Sequence, residues 1–379
     1  MPLNRSSLSR RSFLHVSTAA SAALTIGAVT EPMLAWASLR EVASPRTDAV
    51  YINANENPLG PCASARKAVV DIAPNGGRYL YEKMESFVKD YAASEGLNSE
   101  YVNVYPGSST PLHYSVLAFT SPKASYVTAD PSFESGMQSA AHSGARVVRV
   151  PLTKDYAHDV KAMLNAAPDA GLFYVCTPNN PTGTLTSHAD IEYLLANKPK
   201  GSIVMVDEAY IHFTDATSAL DLVKADRDVV VLRTMSKIFG MAGLRCGFAI
   251  ARPDLLKKID RYAGWVSMPV TAVAAASASL KDTQLVPERR RINTNIRQQT
   301  FEWLAQNGYS YIPSQSNCFM LDAKRPAREM IAAMARQNIY IGRVWPIWPT
   351  HVRITVGTGD EMARFQSAFK QIMSGAKSA

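Results

Sequence analysis

Lys237 stands in the run Thr234-Met235-Ser236-Lys237, and Arg245 follows eight residues later in Ala242-Gly243-Leu244-Arg245-Cys246-Gly247. An amine delivered by an apolar strand, Val229 to Leu232, and released into a glycine-punctuated turn suits a Schiff base with a carbonyl. Hydroxyls at Thr234 and Ser236 and a guanidinium at Arg245 suit a phosphate. Thirty residues upstream, Asp207 ends the run Ser202-Ile203-Val204-Met205-Val206-Asp207, whose apolar character reads as a buried parallel strand. A carboxylate there can pair with a protonated aromatic nitrogen and keep the ring an electron sink. Removing one partner of such a desolvated pair costs on the order of 3–5 kcal/mol. Tyr210 follows three residues on, and Asn180 lies twenty-seven before Asp207 in Cys176-Thr177-Pro178-Asn179-Asn180-Pro181-Thr182-Gly183. Both side chains can hydrogen-bond a ring oxygen. Singly, each residue also fits a plain role: surface lysine, helix cap, core aromatic or turn asparagine. Their order and spacing together select the site.

Amine, electron-sink carboxylate, ring-oxygen partners and phosphate donors compose a pyridoxal phosphate site. The runs that carry it are Asn53-Ala54-Asn55-Glu56-Asn57-Pro58, Asn180-Pro181-Thr182-Gly183, Asp207-Glu208-Ala209-Tyr210, Ser236-Lys237 with Ala242-Gly243-Leu244-Arg245, and Val352-Arg353-Ile354-Thr355-Val356-Gly357-Thr358. They resemble the fold-type I pyridoxal phosphate enzymes of the class I/II aminotransferases, and within these the histidinol-phosphate aminotransferases most. The resemblance runs from about residue 50 to the C-terminus. It implies that Lys237 binds the cofactor and then shuttles a proton between the substrate's α-carbon and the cofactor, with Asp207 and Tyr210 as its catalytic partners. It further implies that Thr234, Ser236 and Arg245 hold the phosphate, joined by Ser108 and Ser109 at a helix start. Phe133 matches the aromatic that stacks on the ring. Tyr79 matches a tyrosine that reaches the phosphate of a neighbouring subunit, so a homodimer is expected. Arg353 matches the clamp on the substrate carboxylate, with Asn180 and Asn55 beside it and Arg343 as a second candidate.

The sequence departs from that pattern in three places. Ser109-Thr110-Pro111 stands where the family often has an acidic residue, and Phe133 replaces the usual tyrosine. The run Val344-Trp345-Pro346-Ile347-Trp348-Pro349-Thr350-His351 matches nothing familiar. Trp345 and Trp348 fit either an aromatic wall beside Arg353 or interior packing. The expected reaction is a ping-pong transamination between an amino acid or related amine and a 2-oxo acid. The alternatives are another pyridoxal phosphate reaction on the same scaffold, a decarboxylase like the threonine-phosphate enzyme or an oxidase, and an exported protein that only binds a ligand.

These residues need elements to position them. Apolar runs at Val102-Val104, Ser125-Thr128, Val147-Val150, Gly171-Cys176, Ile203-Val206, Val229-Leu232 and Gly247-Ile250 alternate with helical patterns. That alternation predicts an α/β domain over residues 76–285, with a mainly parallel seven-stranded sheet. Ser108, Phe133, Asn180, Asp207 and Lys237 then fall just past strand ends, where open sheets bind ligands. Residues 38–75 read as an arm entering a smaller domain. Residues 286–379 read as its compact α+β body: a long basic helix to about Gln306, strands at Phe319-Leu321, Ile339-Gly342 and Val352-Val356, and helices at 327–337 and 360–374. Alternation in Val352-Arg353-Ile354-Thr355-Val356 sets Arg353 opposite the apolar face.

Residues 1–37 read as a leader. Ser9-Arg10-Arg11-Ser12-Phe13-Leu14 resembles a twin-arginine export signal, followed by a weakly apolar stretch and the cleavage pattern Ala35-Trp36-Ala37. The twin-arginine machinery and a periplasmic location are therefore expected. That route carries folded proteins, which suits a cofactor acquired before export. Removing Arg5, Arg10, Arg11 and Glu31 lowers the formal charge from +8 to about +6, a spread excess with no nucleic-acid module. Its densest run, Arg289-Arg290-Arg291, reads as a solvated helix face. Cys62, Cys176, Cys246 and Cys318 are isolated, and neither they nor the histidines suggest a metal site.

Overall fold

All seven apolar runs enter one sheet. The computed structural model describes residues 48–264 and 268–375, so the leader lies outside the described residues. The strands are β1 (Val50–Ile52), β2 (Val102–Tyr105), β3 (Ser125–Asp130), β4 (Val147–Pro151), β5 (Ala170–Cys176), β6 (Ile203–Asp207), β7 (Val229–Thr234), β8 (Gly247–Ile250), β9 (Cys318–Asp322), β10 (Ile339–Ile341) and β11 (His351–Thr355). The large sheet has the order β2-β8-β7-β6-β5-β3-β4. β8 runs antiparallel to both its neighbours, and the pairings from β7 to β4 are parallel. Every residue of β5, β6 and β7 is buried, as parallel strands covered on both faces require.

The helices are α1 (Ala63–Ile72), α2 (Tyr81–Ser94), α3 (Ser109–Phe119), α4 (Ser135–His142), α5 (Val160–Ala166), α6 (His188–Asn197), α7 (Leu220–Lys224), α8 (Pro253–Asp260), α9 (Val270–Leu280), α10 (Leu285–Gln306), α11 (Ala327–Arg336) and α12 (Gly359–Gly375). Helix α6 starts on Ser187, whose hydroxyl accepts the Asp190 N–H at 3.1 Å, the cap its sequence predicts. Residues 48–75 serve two layers. β1 pairs with β10 beside the antiparallel β9–β11 pair, whereas α1 packs on α9 in the large core. Val50, Ile52, Phe319, Val352, Ile354 and Phe365 fill the smaller core.

Arg353 lies opposite the apolar face of β11 as expected, and that side is as buried as the apolar one, at 0% exposure. One feature departs from expectation: the basic run of α10 is not a solvated face. Arg289 is buried and donates to the carbonyls of Ile238 (3.0 Å) and Gly60 (2.6 Å). Arg290 binds the His212 carbonyl at 2.8 Å and pairs with Asp215, which leaves Arg291 exposed. A guanidinium can stay charged in such a place by donating to otherwise unused carbonyls.

Candidate active site

Antiparallel β8 explains how the phosphate donors meet. Its register sets Gly247 opposite both Thr234 at the end of β7 and Tyr105 at the end of β2, so three chain segments cross at one sheet edge. Side chains would block that crossing. A Cβ on Gly247 would lie 2.3 Å from the Ser108 nitrogen, and one on Gly107, at φ +85°, would lie 1.9 Å from the Arg245 guanidinium. The Thr234 hydroxyl is 2.9 Å from the Ser236 hydroxyl and accepts the Ser236 N–H at 3.1 Å. Arg245 donates to the Ala242 carbonyl at 2.9 Å and reaches Ser236 Oγ and the Pro106 carbonyl at 3.4 Å each. Among the described residues no carboxylate pairs with Arg245, and burial lowers its pKa. A half-buried cation beside two hydroxyls and the start of α3 is a site for a multivalent anion.

Asp207 ends β6 at 3% exposure. Burial raises its pKa to about 6, against the Tyr174 hydroxyl at 2.8 Å, the Ala209 N–H at 3.1 Å and the charge of Lys237, which lower it. The next residue, Glu208, binds buried Arg233 of β7 at 2.7 Å, and Arg233 also reaches Glu95 and Ser218. That network ties two strand ends together under the site.

The arm between β1 and α1 closes the crevice from above. Lys237 Nζ donates to the Ala54 carbonyl at 3.4 Å and lies 5.5 Å from the centre of the Tyr210 ring. Asn55, buried with φ +54°, donates to the Tyr210 hydroxyl at 3.0 Å and accepts the Thr355 hydroxyl at 3.1 Å. The Ile238 carbonyl accepts from both Asn57 and Arg289, which pins the backbone beside Lys237. From β11, Arg353 donates to Asn180 Oδ1 at 2.9 Å and to the Asn53 carbonyl at 2.6 Å. Lys237, Tyr210, Asn55, Asn180 and Arg353 thus occupy one crevice between the two cores.

The remaining predicted residues divide. Phe133 is half-buried just past β3. Its neighbours Ser132 and Glu134 bind Asn179 and Arg343 respectively, which places it on the crevice rim. Arg343 faces the same side as Arg353, paired with Glu134. Tyr79 does not join the others within one chain: it is 70% exposed and stacks on Tyr81 at 5.5 Å. Trp345 is buried beneath Arg343 and Arg353, whereas Trp348 is half-buried against Tyr156 and His351. Sequence reasoning missed Tyr174, Asn179, Glu134 and Arg289. Tyr174 alone left a signal, since a hydroxyl within a wholly apolar buried strand needs a polar partner.

A family model described as aminotransferase class I and II matches residues 47–369. The chain is 34% identical over 333 residues to a histidinol-phosphate aminotransferase of Symbiobacterium thermophilum, covering 85% of this chain and 90% of that protein. It is 32% identical over 340 residues to an aromatic amino acid aminotransferase of Cutibacterium acnes, covering 89% and 96%. Among solved structures, one titled a putative histidinol-phosphate aminotransferase from Erwinia carotovora atroseptica superposes with TM-score 0.84 at 28% identity, over 88% of this chain and 99% of that one.

Proposed function

The chain belongs to the class I and II aminotransferases, and from that premise we propose how its own residues divide the work of the reaction. It is a pyridoxal phosphate-dependent transaminase that moves an amino group from an amino donor to a 2-oxo acid. The residues fit the cofactor: a half-buried cation without a carboxylate partner sits in a cradle that two side-chain-free glycines keep open, and a buried carboxylate waits across the crevice. Pyridoxal 5'-phosphate, when bound, supplies a carbonyl that accepts amines and a pyridinium ring that withdraws electrons. Arg245, Ser236, Thr234, Ser108 and Ser109 would hold its phosphate, and Asn180 and Tyr210 its ring oxygen. Asp207 would hold the proton of the ring nitrogen, with Tyr174 and the Ala209 N–H favouring its ionised form. Phe133 would cover the ring from the rim.

Arg353 binds and orients the substrate carboxylate. Because Arg353 already leans on Asn180, clamp and ring-oxygen partner are positioned as one unit. Lys237 Nζ would take the proton from the substrate's α-carbon and pass it to the cofactor, and would move a proton in the opposite direction in the second half-reaction. Asn55 and the arm carbonyls cover the amine and exclude water. The observation that carries this reading is the meeting of Lys237 from β7, Tyr210 after β6 and Arg353 from β11 in a single crevice.

The donor is the open part of the reading, and a half-reaction screen tests it. Amino donors, including histidinol phosphate and aromatic amino acids, are added singly to the purified protein while its visible band is followed. Bleaching by at least one donor, with recovery on adding a 2-oxo acid, is the expected result. Release of carbon dioxide or uptake of oxygen without amino transfer would overturn it.

We also infer that the enzyme works in the periplasm as a homodimer. Arg10-Arg11, the apolar stretch behind it and Ala35-Trp36-Ala37 support export by the twin-arginine route. Changing Arg10→Lys with Arg11→Lys should leave the protein uncleaved in the cytoplasm, and processed periplasmic protein despite the change would sink the idea. Tyr79 and Tyr81, exposed and stacked on each other at the start of the large domain, support a second copy covering that face. Light scattering should find twice the chain mass; a monomer argues against it.

A further inference from the structure

Two guanidinium groups lie against one indole. The Cζ atoms of Arg343 and Arg353 are 4.4 and 5.5 Å from the ring of buried Trp345. Arg353 is committed to the substrate carboxylate in the reading above. A second cation beside it would by itself draw a second anion to the distal end of the substrate, either a phosphate ester or another carboxylate. Here that cation already has an anion. Arg343 Nη2 lies 2.5 Å from a Glu134 carboxylate oxygen, with the two side chains 10% and 30% exposed. Glu134 follows Phe133, so the pair sits on the crevice rim and not in bulk solvent. Trp345, under the Arg343 guanidinium, belongs to an apolar cluster with Ile312 and Met320, and Tyr156 and Trp348 border that cluster.

Resting on the aminotransferase reading with Arg353 at the carboxylate, we propose that Glu134 determines specificity by neutralising Arg343, so the distal subsite takes an uncharged aromatic or apolar side chain. A ligand with a distal anion must separate Glu134 from Arg343 and then face the displaced carboxylate. That repulsive element selects against it more strongly than any missing contact would. An aromatic side chain can lie along the Arg343 guanidinium without disturbing the pair.

Two unreactive ligands test this in the cofactor-loaded enzyme: 3-phenylpropionate, with one carboxylate and a ring, and maleate, with two carboxylates. Their Kd values are read by calorimetry and by the shift of the visible band. The wild type should bind 3-phenylpropionate more tightly. Glu134→Gln should move the ratio of affinities toward maleate by about ten- to a hundred-fold, the worth of one charge-assisted hydrogen bond. Adding Arg343→Gln to that variant should abolish the gain. A ratio that stays within about two-fold of wild type in Glu134→Gln, or a wild type that prefers maleate, overturns the proposal. If Glu134→Gln does not fold, Glu134→Ala reads the same ratio. Arg353→Ala separates the two readings: if both ligands keep their affinity in that variant, the carboxylate clamp has been misplaced, and the Glu134 proposal falls with it.

Discussion

Lys237→Ala protein is expected to fold and to bind the cofactor without a covalent bond, yet to lose turnover by at least about 10²–10⁴-fold, the usual worth of a positioned proton carrier. The separation of binding from chemistry follows from the geometry. The anion cradle of Thr234, Ser236, Arg245 and the start of α3 is assembled without the lysine side chain, whose Nζ donates to the Ala54 carbonyl. Truncation leaves that carbonyl at the crevice surface, where water can replace the ammonium, so the cost in stability is small. Borohydride treatment of the wild type should fix the cofactor's mass on the peptide containing Lys237 and on no other. The variant should show neither adduct nor turnover. Wild-type rates in Lys237→Ala would remove Lys237 from the mechanism.

Asp207→Asn should set activity against stability. In the cofactor-free protein, burial raises the Asp207 pKa to about 6 from the ordinary 3.8. Between those values the folded state holds a proton that the unfolded state has released. Stability from this group is therefore full below about pH 4, falls as pH rises to about 6, and stays lower above it. The shift of roughly two units corresponds to about 3 kcal/mol at neutral pH. An amide carries no charge to bury: its one oxygen can accept from the Ala209 N–H, and its NH2 can donate to the Tyr174 hydroxyl, which reaches the other carboxylate oxygen in the wild type. Cofactor-free Asp207→Asn protein should thus unfold at a higher temperature than wild type at pH 7.5, with the gap closing toward pH 4. Turnover should fall by about 10²–10³-fold, because a buried ring-nitrogen proton that loses its counter-charge costs about 3–5 kcal/mol. Thermal unfolding at the two pH values and steady-state rates check both halves. A variant that is less stable at pH 7.5 and fully active would show that Asp207 neither bears the burial cost nor holds the ring.

Much of this was legible in the chain because the signals are local. Seven apolar runs bounded by turn residues became the seven strands of one sheet, since continuous β-branched segments have little else to do but lie buried in it. Lys237, Asp207 and Asn180 lie past the ends of parallel neighbours β7, β6 and β5, so their spacing along the chain translated directly into proximity. Arg353 was placed opposite the apolar face of β11 by strand alternation alone.

Charge partners were not legible, because they depend on which distant segments the packing brings together. Nothing local pairs Asn55 with Thr355, or Arg353 with the Asn53 carbonyl, each 300 residues apart. The arginine run of α10 has the composition of a solvated face, and only the docking of the arm against residues 238–240 turns Arg289 inward to hold two carbonyls. Tyr174 beneath Asp207 follows from sheet order, and Glu134 against Arg343 from where the chain after β10 meets the large domain. The chain by itself determined the chemistry, which resides in residue types and short spacings. The tertiary structure decided which of its charges are neutralised and which are left for ligands, because partner choice in a desolvated crevice is a long-range property of packing.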